Sequence, residues 1–288
     1  MRQAGIRSRD PREHERHRAY ARCFLIEGGV SMMLQLISAA SSVIDLIYPP
    51  ALYCICCGKI IDQTRPYRLC NDCMNEIKWV GERTCGCCGK RLSDADPGAV
   101  CFSCREHHHS FDRGYTCTEY GTHERAIVFS LKYGGRSDIA EVIGEIMADR
   151  MLALYAADEL ACRYDLVLPV PLHYRRRSMR GYNQAALIAE AFARRTGMRS
   201  DDTILRRVKQ THRMRSLGPD QRRENIRGAF EIRKGRAAEL RGKNILIIDD
   251  IYTTGATVGE ISSVLREAGA GMIEFLSFTS GADMVKSM

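Results

Sequence analysis

Two things are missing from this 288-residue chain, and each removes a class of function. No Gly-Lys-Ser/Thr follows Gly255 in the stretch 245–257, which excludes a Walker-type phosphate loop there. The stretch from Met33 to Ile47 is amphipathic, but Gln35, Ser38, Ser41, Ser42 and Asp45 interrupt it, so it is no membrane span. That polarity, together with the long leader ahead of it, also argues against a signal peptide ending near Ala39-Ala40. Acidic residues are scarce in one region. From His173 to Arg236 there are 18 Arg and Lys against 6 Asp and Glu, although the whole chain carries only +8. The rest of the protein is therefore net acidic. A basic segment of this kind points to an anionic partner such as a pyrophosphate or a nucleic-acid backbone, a solvated surface being the alternative. Hydrophobic content of 45% and charged content of 27% are ordinary for a soluble globular protein.

What the chain has in excess is cysteine, 13 in all, and the spacing is ordered. Cys54-x-x-Cys57 is followed after twelve residues by Cys70-x-x-Cys73, and Cys85-x-x-Cys88 after twelve by Cys101-x-x-Cys104. The second set lies 31 residues beyond the first, an internal repeat that also carries Gly58-Lys59 into Gly89-Lys90. Two cysteines two residues apart reach one ion from a tight turn, and a following glycine relaxes the backbone. Two such turns complete a tetrahedral site. The pattern predicts two structural zinc ribbons, each held by four thiolates, with no open position for catalysis. A disulfide framework, which needs an oxidising compartment, and an iron–sulfur cluster are the alternatives. Cys56 and Cys87 occupy equivalent places in the two repeats and read as spare thiols, as do Cys23, Cys117 and Cys162. Reduced thiolates fit a cytoplasmic protein.

The stretch Ile-Leu-Ile-Ile-Asp-Asp-Ile-Tyr-Thr-Thr-Gly-Ala-Thr at 245–257 carries the chemistry. Ile245 to Ile248 predict a short buried parallel strand ending on Asp249 and Asp250. Thr253, Thr254, Gly255, Ala256 and Thr257 then form a turn into a helix that carries Ile261, Val264, Leu265 and Ala268 and stops at Gly269. The turn offers backbone N–H groups and a positive helix end to a phosphate, and the acids offer acceptors to ribose hydroxyls or a metal ion. An ordinary strand-to-helix turn, with Asp and Thr as caps, is the alternative. The stretch resembles the 5-phosphoribosyl-1-pyrophosphate (PRPP) signature of type I phosphoribosyltransferases. That resemblance implies that Asp249 and Asp250 contact ribose and that Thr253 to Thr257 hold the 5-phosphate.

Along the chain, residues 1–29 read as a disordered basic extension, 30–48 as an amphipathic helix stopped by Pro49-Pro50, 49–106 as the double zinc-ribbon module and 111–282 as a phosphoribosyltransferase-type domain. His107-His108-His109 reads as a linker after the closed four-cysteine sites. Helices are expected over 126–131, 139–154 and 185–195, a turn over 131–136, and strands over 166–172, 229–232 and 272–278. Alternating strands and helices imply a parallel sheet covered on both faces, an α/β class.

Several motifs in consistent order sharpen the resemblance. Paired Cys-x-x-Cys ribbons precede Phe-Asp-Arg (111–113), Leu-Lys-Tyr-Gly-Gly-Arg (131–136), Pro-Val-Pro-Leu (169–172), Arg-Gly-Tyr-Asn-Gln (180–184) and Asn-x-x-Gly-Ala-Phe (225–230). Over about residues 33–280 the chain is similar to the ComF family, competence factors that combine zinc ribbons with a phosphoribosyltransferase domain. One departure is Thr211, followed by Met214 where that family commonly keeps a glutamine. The resemblance implies a pyrophosphate loop at Val170, Pro171 and Leu172 with Arg180 beside it, a magnesium ion carried with the pyrophosphate, and a closing loop over 207–225. Lys132 is a further candidate for a charge contact. Two functions follow as expectations. One is transfer of phosphoribose from PRPP to a base; the other is binding of PRPP or single-stranded DNA through the pocket and the 173–236 segment. Tyr174 and Tyr182 are candidate base-stacking side chains, and a helicase or recombination protein is the expected partner of the ribbons.

Overall fold

The computed structural model describes residues 52–93, 96, 98–211 and 219–281. The expected extension at 1–29, the helix at 30–48, Cys23 and Met214 lie outside these residues. Four strands form one sheet: β1 Arg113–Glu119, β2 Leu166–Pro169, β5 Ile245–Tyr252 and β6 Ile273–Ser280, in the order β1-β6-β5-β2 with every neighbouring pair parallel. A separate antiparallel pair joins β3 Leu205–Arg207 to β4 Phe230–Ile232. Parallel neighbours cannot be joined by a tight turn, so helices must carry the chain back. Two helices lie in the ribbons ahead of β1, α1 Asn71–Glu76 and α2 Phe102–Glu106; after β1 come α3 Thr122–Tyr133, α4 Ile139–Leu152, α5 Ala157–Arg163, α6 Tyr174–Arg180, α7 Gln184–Thr196, α8 Pro219–Ile226 and α9 Ala256–Glu267.

Successive strand residues point to opposite faces, and β5 shows the consequence. Leu246 and Ile248 join Ile139, Ile143 and Met147 of α4 and Ile188 and Phe192 of α7 in one buried cluster. Ile245 and Ile247 join Val258, Ile261 and Leu265 of α9 and Phe275 of β6 in the other. A strand covered on both sides reads as an unbroken apolar run, which is why Ile245 to Ile248 do not alternate. On the first face α4 and α7 approach so closely that a Cβ on Gly144 would lie 2.5 Å from that of Ala191 and 2.9 Å from the Phe192 nitrogen. Glycine is required there by contact. Truncating a filler such as Ile143 to alanine would cost about 2–5 kcal/mol by the cavity it leaves.

The ribbons repeat one local design. Cys54 N–H bonds to Lys59 O at 2.8 Å and Cys85 N–H to Lys90 O at 2.7 Å, with Gly58 at φ 75° and Gly89 at φ 70° taking the left-handed conformation each tight turn requires. The segment between the ribbons runs beside β1: Val80 N–H bonds to Cys117 O, Glu119 N–H to Lys78 O, and Trp79 bridges Thr118. It covers the free edge that a terminal strand otherwise presents. The ribbon module and the α/β domain with its parallel sheet are thus built into one compact unit from Ala51 onward.

Several expected boundaries are corrected. β5 continues through Asp249 and Asp250 to Tyr252, because β6 offers pairing partners as far as Ser280. The expected turn at 131–136 is helical up to Tyr133, and Gly134, Gly135 and Arg136 lie outside the helix. The expected strand 166–172 ends at Pro169, although Val170 N–H still reaches Ile248 O. The arginines at 175–177 and 180 lie on helix α6, which the sequence reading did not anticipate. β1 was also missed.

Candidate phosphoribose site and zinc centres

The carboxyl edge of β5 places Asp249 and Asp250 in the middle of the sheet, where open α/β sheets bind ligands. Strand alternation sends the two side chains to different surroundings. Asp250, 8% exposed, pairs with Lys132 Nζ from the last turn of α3. Asp249 accepts the Asp250 N–H at 2.9 Å, and its carboxyl is held well above the ordinary value by burial and by the adjacent Asp250 charge, against the pull of Lys132. A buried carboxyl of this kind is stabilised by gaining hydroxyl or cationic partners.

After Tyr252 the chain turns through Thr253, Thr254 and Gly255 into α9. Gly255 has φ 77°, and a Cβ on it would lie 2.8 Å from the Tyr252 hydroxyl, so glycine is needed for both its conformation and its packing. The first intrahelical bond runs from Gly259 N–H to Gly255 O at 2.7 Å, which leaves the N–H groups of Ala256, Thr257 and Val258 ahead of the hydrogen-bonded ladder. The Thr254 hydroxyl is buried with no partner among the described residues. Unengaged donors at a helix start suit an anion.

Opposite the Thr-rich turn, Val170, Pro171 and Leu172 leave β2, and the Asn183 amide donates to Val170 O at 3.1 Å to fix their course. Arg180 reaches back to Gln184 Oε1 at 2.8 Å and to the Tyr133 hydroxyl at 3.2 Å, its guanidinium lying 5.0 Å from the Tyr133 ring centre. Arg207 was missed by sequence reasoning. It is bridged to His173, bonds the Thr211 hydroxyl and packs 5.3 Å over Phe230. Burial lowers it to about 10, neighbouring Arg176 pushes the same way, and Asp249 opposes them. Lys132, a candidate from the sequence, meets Asp250, whereas Arg207 carries no local pattern that marks it; each reaches the site from a different element.

Much of the basic segment is engaged within the fold. Arg175 donates to Gln210, Arg176 to Thr211 O, Arg194 to Glu141, Arg195 to Asp149, Arg206 to Glu231, and Arg236 to Asp201 and Glu239. Charge count alone therefore overstates the surface offered to an anion. Tyr174 is exposed, whereas the Tyr182 hydroxyl donates to Leu131 O at 2.7 Å and serves packing.

The eight ribbon cysteines gather as the spacing predicts. Cys54, Cys57, Cys70 and Cys73 form one group and Cys85, Cys88, Cys101 and Cys104 the other, the sulfur atoms of each lying within 4.8 Å of one another. Backbone N–H groups point at the sulfurs: Cys70 N–H at Cys54 Sγ, 3.4 Å, and Cys101 N–H at Cys85 Sγ, 3.3 Å. That environment favours thiolates, and four of them fit a structural zinc ion. Each group also has a fifth cysteine and a histidine within reach of its last ligand: Cys56 and His123 beside Cys73, Cys87 and His109 beside Cys104. His109, expected to lie in a linker, is packed against the second centre. Cys117 is buried in β1 and Cys162 exposed. Among the described residues no helix is long and apolar enough to cross a membrane.

Residues 43–105 match the double zinc ribbon domain family. Competence protein F of Haemophilus influenzae is 36% identical over 110 residues, 38% of this chain and 48% of that protein, so the chain spans about half the length of that relative. Competence protein ComFC of Streptococcus pneumoniae is 27% identical over 212 residues, 73% of this chain and 86% of that protein. Among solved structures, a glutamine PRPP amidotransferase from B. subtilis shares 21% identity over 52% of this chain and 30% of its own, with a TM-score of 0.34. Paired cysteine groups of ribbon spacing sit in a double zinc ribbon domain, and over the stretches given above the chain is similar to proteins named as competence proteins.

Proposed function

We propose that the carboxyl edge of β5 binds a 5-phosphoribosyl group, as PRPP or as the sugar-phosphate of a nucleic-acid strand, and that the protein acts in the cytoplasm on DNA taken up during natural transformation. The observation that carries this reading is the convergence at one edge of two adjacent carboxyls, a lysine and a turn with unengaged donors: half-buried Asp249, buried Asp250, Lys132 and Thr253 to Thr257. Ribose hydroxyls would meet the acids, and the 5-phosphate would meet Thr254 and the first N–H groups of α9. Val170, Pro171, Leu172 and Arg180 lie on the side assigned to pyrophosphate, and magnesium would arrive bound mostly to the ligand and water. The DNA-uptake role draws on the names of the relatives. Ribbon 1, with exposed Tyr53 and Ile60, is the face assigned to a helicase or recombination partner.

Binding of PRPP and of single-stranded DNA, measured by calorimetry and fluorescence anisotropy on wild type and on Asp249→Asn/Asp250→Asn, tests the reading. Loss of PRPP binding in the double variant supports it, and unchanged binding of both ligands sinks it. Release of pyrophosphate from PRPP in the presence of a panel of bases would instead make the chain a working phosphoribosyltransferase, which the same pocket can serve by stabilising charge on the ribose and on the leaving group.

A further inference from the structure

The second ribbon, residues 84–104, lies directly behind the Thr-rich turn. Gly114 N–H bonds to Cys87 O at 2.7 Å and the Thr116 hydroxyl to Gly89 O at 2.7 Å, so the ribbon is laced to β1. From there contacts lead to the turn. His109 Nε2 is 3.4 Å from Cys104 Sγ, and the imidazole stacks on Phe111 at 4.6 Å and 18°. Phe111 meets Phe275 edge-on at 4.9 Å, and Phe275 stacks on Tyr252 at 4.5 Å and 19°. The chain closes on Gly255: a Cβ there would lie 2.8 Å from the Tyr252 hydroxyl and 3.3 Å from His109 Nδ1. One ring nitrogen of His109 therefore faces a zinc-ligand sulfur and the other faces the glycine that starts α9.

We propose that His109 is a positioning residue through which the second zinc centre holds the Thr253–Thr257 turn in its phosphate-binding shape. An imidazole that donates Nε2–H to a metal-bound thiolate is fixed in both tautomer and ring orientation. Its other edge then forms a rigid wall at Gly255, where the left-handed backbone leaves no side chain to resist displacement. Ribbon 1 has a matching histidine, His123 beside Cys73, but that residue sits on α3 and none of the contacts that join His109 to the turn involves it. Two centres of the same ligand spacing are thereby given different tasks: the first is structural only, and the second also braces the ligand-binding turn. The part of this inference that concerns phosphate rests on the function proposed above; the brace itself does not.

The test uses the full-length, zinc-loaded protein. Hydrogen exchange over residues 252–260 is followed in wild type, His109→Ala, His109→Gln and His123→Ala, with zinc content and PRPP affinity measured alongside. The alanine variant is expected to keep about two zinc ions per chain, to exchange roughly tenfold faster over 252–260 and to bind PRPP roughly tenfold more weakly. Glutamine, whose amide reaches the Nε2 position, is expected to restore most of the protection, and His123→Ala to leave the segment as in wild type. His109→Leu fills the space without the nitrogens and serves if the alanine variant does not fold. Unchanged exchange in His109→Ala or His109→Leu, an equal change in His123→Ala, or loss of a zinc ion on replacing His109 would each overturn the proposal; the last would make His109 a ligand. A wild type that does not bind PRPP removes the phosphoribose reading alone, because the exchange measurement needs no ligand.

Discussion

The two ribbons share spacing, turn geometry and left-handed glycines, yet their surroundings have little in common. Ribbon 1 leaves Cys57 exposed and leans on α4: the Tyr67 hydroxyl donates to Asp149 at 3.0 Å, and Arg68 pairs with Asp138 at 2.9 Å. Ribbon 2 buries Cys85, Cys88 and Cys101 almost completely and shares its apolar cluster with Phe111, Tyr252 and Phe275. Beside these polar contacts, the first buries Cys54, Ile55, Leu69 and Cys73 in the apolar cluster that holds α4 and α7. The second is part of the core beneath the turn that follows β5. A repeated sequence thus specifies a repeated metal knuckle but not a repeated role, since the role depends on what each knuckle is packed against.

The contrast can be broken in order of expected effect. Cys101→Ser should be the most damaging change, because it removes a ligand from a buried centre and leaves thiolates unpaired in the core. We expect loss of cooperative unfolding by calorimetry, whereas Cys57→Ser at the exposed corner of ribbon 1 should lose its zinc and keep a folded sheet. Equal damage from both would erase the distinction. Phe275→Ala comes next: it empties the aromatic stack under the turn and should cost about 3–5 kcal/mol in denaturant unfolding. Tyr67→Phe removes one hydrogen bond under ribbon 1 and should cost only about 0.5–1.5 kcal/mol.

Asp249→Asn probes the ligand edge itself and should have the opposite sign. The native carboxyl is raised above its ordinary value of 3.8 by burial and by Asp250, so the folded state favours the neutral form. Its contribution to stability is complete below 3.8 and is lost as pH rises through the folded value, which leaves a net cost at neutral pH. The asparagine variant should therefore melt higher than wild type at pH 7, and the gap should narrow on acidification and vanish near 3.8, as read from parallel melting curves. A variant that is less stable at pH 7 would contradict the burial of this charge. Gain of stability with loss of PRPP binding is the expected signature of a site residue.

The parts of the fold legible in sequence are those with dense local signals. The Cys-x-x-Cys pairs, the glycines after them and the apolar run before Asp249 each constrain neighbouring residues directly, and the structure meets those expectations. β1 was missed because Arg113 to Glu119 mixes polar and apolar residues; its edge is covered by the inter-ribbon segment, where Trp79 pairs with Thr118, a distant partner that periodicity cannot register. The basic segment misled in a similar way: eighteen positive charges were countable, but the carboxylates that engage Arg194, Arg195, Arg206 and Arg236 lie on several other elements.

By itself the sequence determined the ligand sets of two metal centres and the strand–turn–helix that offers acids and backbone donors side by side, because each depends on residues only a few positions apart. Only the tertiary structure decided which cations face the acids, Lys132 from α3 and Arg207 from β3, and that His109 stands between the second ribbon and Gly255. Lys132 with Asp250, and His109 with Gly255, are each more than a hundred positions apart in the chain. These relations exist only once the parallel sheet has brought its carboxyl edges together, and no local pattern can encode them.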